Sequence, residues 1–417
     1  MIILMIIMKS SFYKFKNCIF VNLYMGKGLT MKHKFISKRY WNSISTPMGE
    51  SNSLLNKFDD LINFSLGDPD FNTPEPIIDL AMKDAKNGHT HYTDAFGDPE
   101  LRDEIIKYYK DEYDLDVKRE EIMVTTSGGH AMWLALETIL DDGDEVIIPD
   151  PYYTPYPQQV ELTRGKPVFL PTYEEEMFQI NVERLEKLIS NRTKALIINT
   201  PNNPTGTCYK RETMEGIAKV VRKHDLLIIA DDIYTEFSFD EPFIPMVTIE
   251  GMRERTITIS SFSKNFAMTG WRIGYILAPD YIISTVKDIN ENNVFSAPSI
   301  SQRAALHALR MRKEICPPIA NEIKNRMAYA FHRISRIPKL SCLPPRGGMY
   351  IFVNIKETGL SSTEFCHILL KEAHIVALPG IAFGSCGEGY IRFALTIGIP
   401  EMEEAFNRIE KLSVLNR

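Results

Sequence analysis

The sequence predicts an α/β fold, in which a large domain with a mostly parallel sheet precedes a smaller α+β domain. From Asn63 onward, short β-branched runs alternate with longer amphipathic stretches, the pattern of βαβ units. After about Ile300 the pattern changes to long helices and then to strands, which indicates a second domain. The chain of 417 residues, 44% of them apolar, is long enough to bury both cores.

Apolar periodicity and turn residues predict the individual elements. The strands of the large domain are apolar and β-branched, and they are predicted at Ile122–Thr125, Glu145–Pro149, Ala195–Asn199, Leu226–Ala230 and Thr256–Ser260. The helices between them have one apolar face and are predicted at Ala131–Leu140, Val182–Ser190 and Arg211–His224. The smaller domain is predicted to contain helices Ser301–Arg310 and Ala320–Ile337 and strands Gly348–Ile355 and Tyr390–Thr396.

Composition excludes several classes of protein. The net charge is 48 − 54 = −6 with no basic block, which argues against a nucleic-acid partner. The six cysteines lie far apart without CxxC pairs or zinc-ligand spacing, so we expect reduced thiols in a cytoplasmic protein and no metal site. No apolar run reaches the roughly eighteen residues of a membrane span, so we expect no membrane partner.

The first thirty residues begin with the short apolar run MIILMIIM. A secretory signal has basic residues before its apolar stretch, whereas Lys9, Lys14 and Lys16 follow this one. Met31 offers an alternative start. We therefore expect residues 1–30 to be an over-called start, disordered or absent, that contributes nothing to the fold.

Chemically distinctive residues follow each predicted strand of the large domain. Because the carboxyl ends of parallel strands meet at one edge of a sheet, these residues should line one rim. They comprise a glycine turn before a helix, an aromatic ring, an amide, a carboxylate with a phenol, and a lysine: Gly128 and Gly129, Tyr153, Asn203, Asp231 and Tyr234, and Lys264.

Each of these residues alone has a simpler explanation. Glycine pairs and Asn203 commonly form turns, Tyr153 would be a packed aromatic, and Lys264 a solvated lysine. Arg272 and Arg392 would each be a surface ion pair. Together, however, they match pyridoxal phosphate, whose phosphate, ring nitrogen, phenolic oxygen and aldehyde need four different partners. A Schiff-base lysine with an acidic partner for the ring nitrogen is a known signature of this cofactor.

These motifs resemble those of class I (fold type I) aminotransferases, in the aspartate aminotransferase-like group. The resemblance runs from about Asn63 to Leu412 and is strongest over Ser261–Tyr275, SFSKNFAMTGWRIGY. It implies a fold type I PLP-dependent transferase, with a mostly parallel seven-stranded sheet flanked by helices. It also implies an N-terminal segment (31–75) joining the small domain, a large cofactor-binding domain (76–300) and a small C-terminal domain (301–417).

The resemblance also implies roles for individual residues. Lys264 would form the Schiff base and move the proton at the substrate, while Asp231 would keep the ring nitrogen protonated. Tyr234 and Asn203 would hydrogen-bond to the phenolic oxygen, and Tyr153 would stack on the ring. The phosphate would be bound at the helix start and by nearby polar side chains: the Gly128–Gly129 turn, the backbone of His130, Ser261, Ser263 and Arg272.

For the substrate, the resemblance implies that Arg392 binds the α-carboxylate beside Gly67 and Asn203. Tyr92 would reach the phosphate of a partner subunit, which implies a homodimer. His130 stands where relatives carry other residues, which would bear on substrate choice. Asn292 stands where animal-type aspartate enzymes have a substrate-binding arginine, so aspartate, aromatic and other neutral amino acids all remain open as donors.

The predicted function is therefore transfer of the amino group of an L-amino acid to a 2-oxo acid, with 2-oxoglutarate as the expected acceptor, by a ping-pong mechanism. The alternative is a PLP-dependent β-eliminating C–S lyase or another amino-acid reaction in the same fold. Such lyases usually carry a histidine where Tyr234 stands. A transcriptional regulator with this fold would need a DNA-binding domain, but the residues before Asn63 contain no helix-turn-helix pattern.

Overall fold

The computed structural model describes residues 33–41 and 58–416, so the predicted over-called start lies outside the described residues. The strands are β1 Ile62–Asn63, β2 Ile122–Thr125, β3 Glu145–Asp150, β4 Lys166–Pro171, β5 Thr193–Asn199, β6 Leu227–Asp231, β7 Thr256–Ser261, β8 Gly274–Leu277, β9 Tyr350–Asn354, β10 Ile375–Val376, β11 Leu378–Pro379 and β12 Tyr390–Ala394. The α-helices are α1 Glu75–Lys86, α2 Pro99–Tyr113, α3 Gly128–Ile139, α4 Tyr156–Leu162, α5 Val182–Leu188, α6 Arg211–Lys223, α7 Asp280–Glu291, α8 Ser299–Arg310, α9 Arg312–Ile334, α10 Ser362–Ala373 and α11 Ile399–Ile409.

A seven-stranded sheet forms the centre of the molecule, in the order β2-β8-β7-β6-β5-β3-β4. Strand β8 runs antiparallel to both of its neighbours, whereas the remaining pairs are parallel. Successive side chains point to opposite faces, so Ile197 packs with α3 and α7 while Ile198 packs with α6. Helices therefore cover both faces, and the predicted α/β fold with a mostly parallel seven-stranded sheet is confirmed.

A second, smaller unit contains a three-stranded antiparallel sheet, β11-β12-β9. Its core includes fully buried aromatic residues such as Phe365, Phe393 and Phe406. Strand β1 pairs in parallel with β10, which brings the start of the described chain onto this unit. This pairing places residues 64–70 beside the pocket described below.

Helix α8 lies almost wholly beyond residue 300, yet it packs against α1 and α2. Arg303 of α8 is buried and forms ion pairs with Asp84 of α1 at 2.7 Å and with Asp98 at 3.2 Å. Ala304 and Ala308 share a core cluster with Ile77 and Leu101. The division into residues 31–75, 76–300 and 301–417 stays a prediction. Cys316 of α9 belongs to the same cluster as Ala304, whereas Ile319 of α9 belongs to the core of the smaller unit, so we propose a boundary within α9.

No helix among residues 33–41 and 58–416 is both long and apolar enough to cross a membrane. The cysteines in these two ranges are free thiols: Cys208, Cys316, Cys342, Cys366 and Cys386.

Candidate active site

A pocket of about 320 Å³ lies at the carboxyl ends of β2, β3, β5, β6 and β7. It brings together eleven of the residues named from the sequence, namely Gly67, Gly128, Gly129, Tyr153, Asn203, Asp231, Tyr234, Ser261, Ser263, Lys264 and Arg272. The remaining three residues, His130, Tyr92 and Arg392, lie outside its lining.

Gly128 and Gly129 are the first two residues of α3, and Gly128 packs closely against Gly274, the first residue of β8. A Cβ atom on Gly274 would lie 2.6 Å from the Ser260 carbonyl oxygen and 2.8 Å from the Gly128 nitrogen, so only glycine fits there. Ser127 caps α3, because its hydroxyl accepts a hydrogen bond from the backbone N–H of His130 at 3.0 Å. The positive end of the α3 dipole therefore faces the pocket beside Ser261, as an anion-binding site requires.

The side chain of His130 is held outside the pocket lining. Its Nδ1 hydrogen-bonds with Thr126 Oγ1 at 2.8 Å, and its ring is parallel to that of Trp133. Its backbone N–H already donates to Ser127 in this structure. His130 therefore contributes its backbone N–H to the start of α3, and its imidazole is not positioned to contact a substrate in the pocket.

Asp231 ends β6, and its carboxylate has one engaged and one free oxygen. Tyr156 donates a hydrogen bond to Oδ2, whereas Oδ1 is buried and accepts none from residues 33–41 and 58–416. Burial raises the pKa of Asp231 to about 6, and the bond from Tyr156 opposes that rise. A buried acceptor without a partner fits the protonated ring nitrogen of pyridoxal phosphate, which is a cationic N–H donor.

Lys264 follows β7, and its ammonium donates a hydrogen bond to the carbonyl oxygen of Gly67. Burial lowers its pKa to about 8; Asp68 opposes this shift, and Arg272 and Arg392 contribute to it. Lys264 is therefore much closer to a neutral nucleophile and base than an ordinary lysine is.

This pKa predicts how the cofactor-free protein reacts with pyridoxal phosphate. Only the neutral amine attacks an aldehyde, so the rate of covalent capture should rise with pH and level off above about 8. The rate is measured from the visible absorbance that develops after mixing at a series of pH values. A rate that kept rising to the pKa of an ordinary lysine would contradict the assignment.

Arg392 lies in β12, directly behind the pocket, and is 1% exposed. Its Nη1 donates to Asn203 Oδ1 at 3.1 Å, and its Nη2 donates to the Ser65 carbonyl. Its Nε has no hydrogen-bond partner among the described residues. Burial lowers its pKa, and the groups that oppose this are tyrosines such as Tyr350, not carboxylates. A buried cation with neutral partners is a site for a carboxylate ligand.

Tyr350 joins Tyr234 to Arg392. Its hydroxyl hydrogen-bonds with the Tyr234 hydroxyl at 3.0 Å, and the Arg392 guanidinium lies 4.6 Å from its ring centre. A Cβ atom on Gly67 would lie 2.2 Å from that hydroxyl, so glycine at this position leaves room for Tyr350. Tyr350 therefore contacts three residues that were predicted from the sequence to lie in the site: Gly67, Tyr234 and Arg392.

Tyr92 is 87% exposed and lies away from the pocket of its own chain. Its ring contacts Phe295 edge-on, with ring centres 5.2 Å apart. Val294 and Phe295 are also exposed, and together the three residues form an apolar surface patch. The side chain is thus accessible to a second subunit.

Sequence reasoning did not assign a role to nine residues that line the pocket: Leu66, Asp68, Ser127, Met132, Tyr156, Gln159, Ile233, Thr269 and Tyr350. Ser127 carried a readable signal, because serine before a helix is a common cap. Tyr156 lies three residues after Tyr153, close to one helical turn. The position of Tyr350 depends on how β9 packs against the rest of the molecule and had no local signal.

Comparisons with a family model, with curated proteins and with solved structures all match the chain to aminotransferases. Residues 59–409 match the family model described as aminotransferase class I and II. The chain is 40% identical over 357 residues to an aspartate aminotransferase of Pyrococcus abyssi, covering 85% of this chain and 92% of that protein. It is 39% identical over 356 residues to aromatic-amino-acid aminotransferase 2 of Thermococcus litoralis, covering 84% and 91%. An aromatic aminotransferase structure from Pyrococcus horikoshii superposes with a TM-score of 0.83 at 38% identity, covering 86% and 97%.

Proposed function

The chain belongs to the aminotransferase class I and II family, and we propose that it transfers the amino group of an aromatic or other neutral L-amino acid to 2-oxoglutarate. It is a pyridoxal-phosphate-dependent transaminase of the aspartate aminotransferase-like group, and a C–S lyase reaction is not favoured. The observation that carries the proposed assignment of the site is the free buried oxygen of Asp231 in the same pocket as Lys264.

When bound, pyridoxal phosphate supplies an aldehyde that carries the amino group and a ring that withdraws electrons from the substrate Cα. In our proposal Lys264 would hold the cofactor through its aldehyde in the resting enzyme, and its amine, once freed by the incoming substrate amine, would move the proton at Cα. Asp231 holds the proton on the ring nitrogen, and Tyr234 and Asn203 hydrogen-bond to the phenolic oxygen. Tyr153 stacks on the ring. The phosphate would be bound at the start of α3 by the backbone of Gly128 and Gly129 and by the N–H of His130 once it leaves the Ser127 hydroxyl. The side chains of Ser261, Ser263 and Arg272 would also bind it.

The buried guanidinium of Arg392 is proposed to bind the α-carboxylate of the substrate, beside Gly67 and Asn203. Its planar donors suit two parallel hydrogen bonds to a carboxylate. Its present partners are a side-chain amide and a backbone carbonyl, so it carries no ion pair that the substrate would have to displace. The arrangement orients the Cα–H bond of the substrate relative to Lys264.

We expect Arg392→Ala to impair binding of the amino acid. Losing one partner of a buried, hydrogen-bonded charge pair costs about 2 kcal/mol or more, which raises KM about thirtyfold. Steady-state kinetics at varied amino-acid concentration would measure this. The control is Arg211→Ala, which removes an exposed arginine from α6. An unchanged KM in Arg392→Ala would remove this residue from the substrate site.

The charges of the pocket support a neutral donor. The cationic side chains that line it among the described residues are Lys264 and Arg272, and both are assigned to the cofactor. Asp68 also lines the pocket and accepts a hydrogen bond from Thr269 at 2.7 Å. A second carboxylate on the substrate would therefore lie near the Asp68 carboxylate. Among the described residues of the same chain, no cationic side chain that lines the pocket is left unassigned to pair with it. The aromatic-amino-acid aminotransferase of Thermococcus litoralis matches the chain at 39% identity, about as well as the aspartate aminotransferase of Pyrococcus abyssi at 40%.

We also propose that the protein is a cytoplasmic homodimer in which Tyr92 binds the phosphate in the partner's pocket. Its exposure and its distance from its own pocket support this. Mixing unfolded Lys264→Ala and Tyr92→Ala subunits and refolding them together would test it. Hybrid dimers would contain one intact site, and random pairing should restore about a quarter of wild-type activity. No recovery would contradict a site shared between subunits.

A further inference from the structure

Tyr156 has no role in the scheme above, although it contacts the residue that the cofactor assignment depends on. It begins α4 and is 3% exposed. Its ring packs edge-on against Tyr153, with ring centres 5.4 Å apart, and its hydroxyl donates to Asp231 Oδ2. One buried side chain therefore contacts both the proposed stacking residue and the proposed partner of the ring nitrogen.

The hydrogen bond has a defined direction. Burial raises the pKa of the Tyr156 phenol well above its usual value, so the hydroxyl keeps its proton and donates it. The carboxylate accepts through Oδ2, which leaves Oδ1 as the free acceptor. The terminal torsion of an aspartate is soft, so without this bond the plane of the carboxylate could turn and aim its free oxygen away from the pocket.

We propose that Tyr156 is a positioning residue that orients the Asp231 carboxylate and presents Oδ1 to the ring nitrogen of the cofactor. This inference rests on the proposed function, because it needs Asp231 to be the partner of that nitrogen. A hydrogen bond to a charged group contributes about 1.5–3 kcal/mol, which corresponds to roughly ten- to hundredfold in affinity. The effect should be confined to ligands that possess the ring nitrogen.

The test measures binding and not turnover. Pyridoxine 5′-phosphate has the ring nitrogen and the phosphate but no aldehyde, so it cannot bond to Lys264. Its affinity for the cofactor-free protein is compared by calorimetry with that of the analogue in which carbon replaces the ring nitrogen. The ratio of the two dissociation constants is the nitrogen preference. It is measured for the wild type, Tyr156→Phe, Asp231→Asn and the double variant.

We expect Tyr156→Phe to lower the nitrogen preference about tenfold or more while the affinity for the carbon analogue stays the same. In the Asp231→Asn background it should cause no further loss. Tyr156→Gln, which keeps a donor, should retain more of the preference than Tyr156→Phe. Tyr209→Phe removes another buried phenol, outside the pocket, and should leave the preference unchanged.

An unchanged nitrogen preference in Tyr156→Phe would overturn the inference. If both ligands bound equally more weakly, Tyr156 would be assigned to packing alone. If Tyr156→Phe failed to fold, as judged by its thermal unfolding, Tyr156→Leu, which also lacks a donor, would replace it, and a wild-type nitrogen preference in that variant would overturn the inference. If Asp231→Asn kept the full wild-type nitrogen preference, Asp231 would not be the partner of the ring nitrogen, and the proposed cofactor site would be wrong. The experiment therefore distinguishes a failure of the cofactor assignment from a failure of the inference about Tyr156.

Discussion

The Lys264→Ala variant should retain the cofactor and lose transaminase activity. Alanine removes both the amine that bonds to the cofactor and the base that moves the proton at Cα. Loss of a general base alone costs about 10²- to 10⁴-fold, so we expect turnover to fall at least about a thousandfold. Phosphate and ring contacts come from other residues, so pyridoxal phosphate should still bind without a covalent link. Steady-state assays and cofactor content after gel filtration would measure the two effects.

The control is Lys166→Ala, which removes an exposed ammonium that pairs with Glu145 on the sheet edge. Exposed pairs of this kind contribute at most about 1 kcal/mol, so its activity should match the wild type. Normal turnover in Lys264→Ala would refute the assignment of the catalytic lysine.

The second large effect is expected for Asp231→Ala. Removing one member of a buried charge pair costs about 3–5 kcal/mol, which corresponds to a dissociation constant for pyridoxal phosphate more than about a hundredfold higher. Proton abstraction should also slow, because the ring nitrogen then loses the carboxylate that keeps it protonated. Equilibrium dialysis would measure cofactor affinity, and the rate of Cα-deuterium exchange from the amino acid would measure proton abstraction.

Asp225→Ala provides the matched control, because this exposed carboxylate forms only a surface ion pair with Arg255. It should bind the cofactor as the wild type does. Unchanged affinity and unchanged exchange in Asp231→Ala would exclude this residue from the cofactor site.

Much of this site could be predicted because the end of each buried strand is marked in the sequence, where an apolar, β-branched run gives way to polar and turn-forming residues. Strand β2 was predicted with its observed bounds, and the predicted β6 differs by one residue at each end. In a parallel sheet these ends meet at one edge, so residues as distant in sequence as Gly129 and Lys264 were expected to meet. Both residues line the same pocket because the parallel strand order brings the ends of β2 and β7 to one edge of the sheet, and no single motif predicts this.

What could not be predicted depends on tertiary contacts. Strand β8 is short, buried and antiparallel, and only its pairing with β2 and β7 distinguishes it from a loop. Helix α9 begins eight residues before the predicted Ala320, because the chain continues as a helix through Pro317 and Pro318. Tyr350 and Tyr156 reach the site through packing.

The most direct test of the account is a spectrum of the purified holoenzyme, recorded before and after single L-amino acids are added without an oxo acid. We predict that an aromatic amino acid converts the visible band of the lysine-bound cofactor to a pyridoxamine-like spectrum, at lower concentrations than aspartate does. Addition of 2-oxoglutarate should then restore the original band. A band that returned unaided while ammonia and pyruvate accumulated would indicate β-elimination and contradict transamination, and a protein that took up no pyridoxal phosphate would contradict the cofactor assignment.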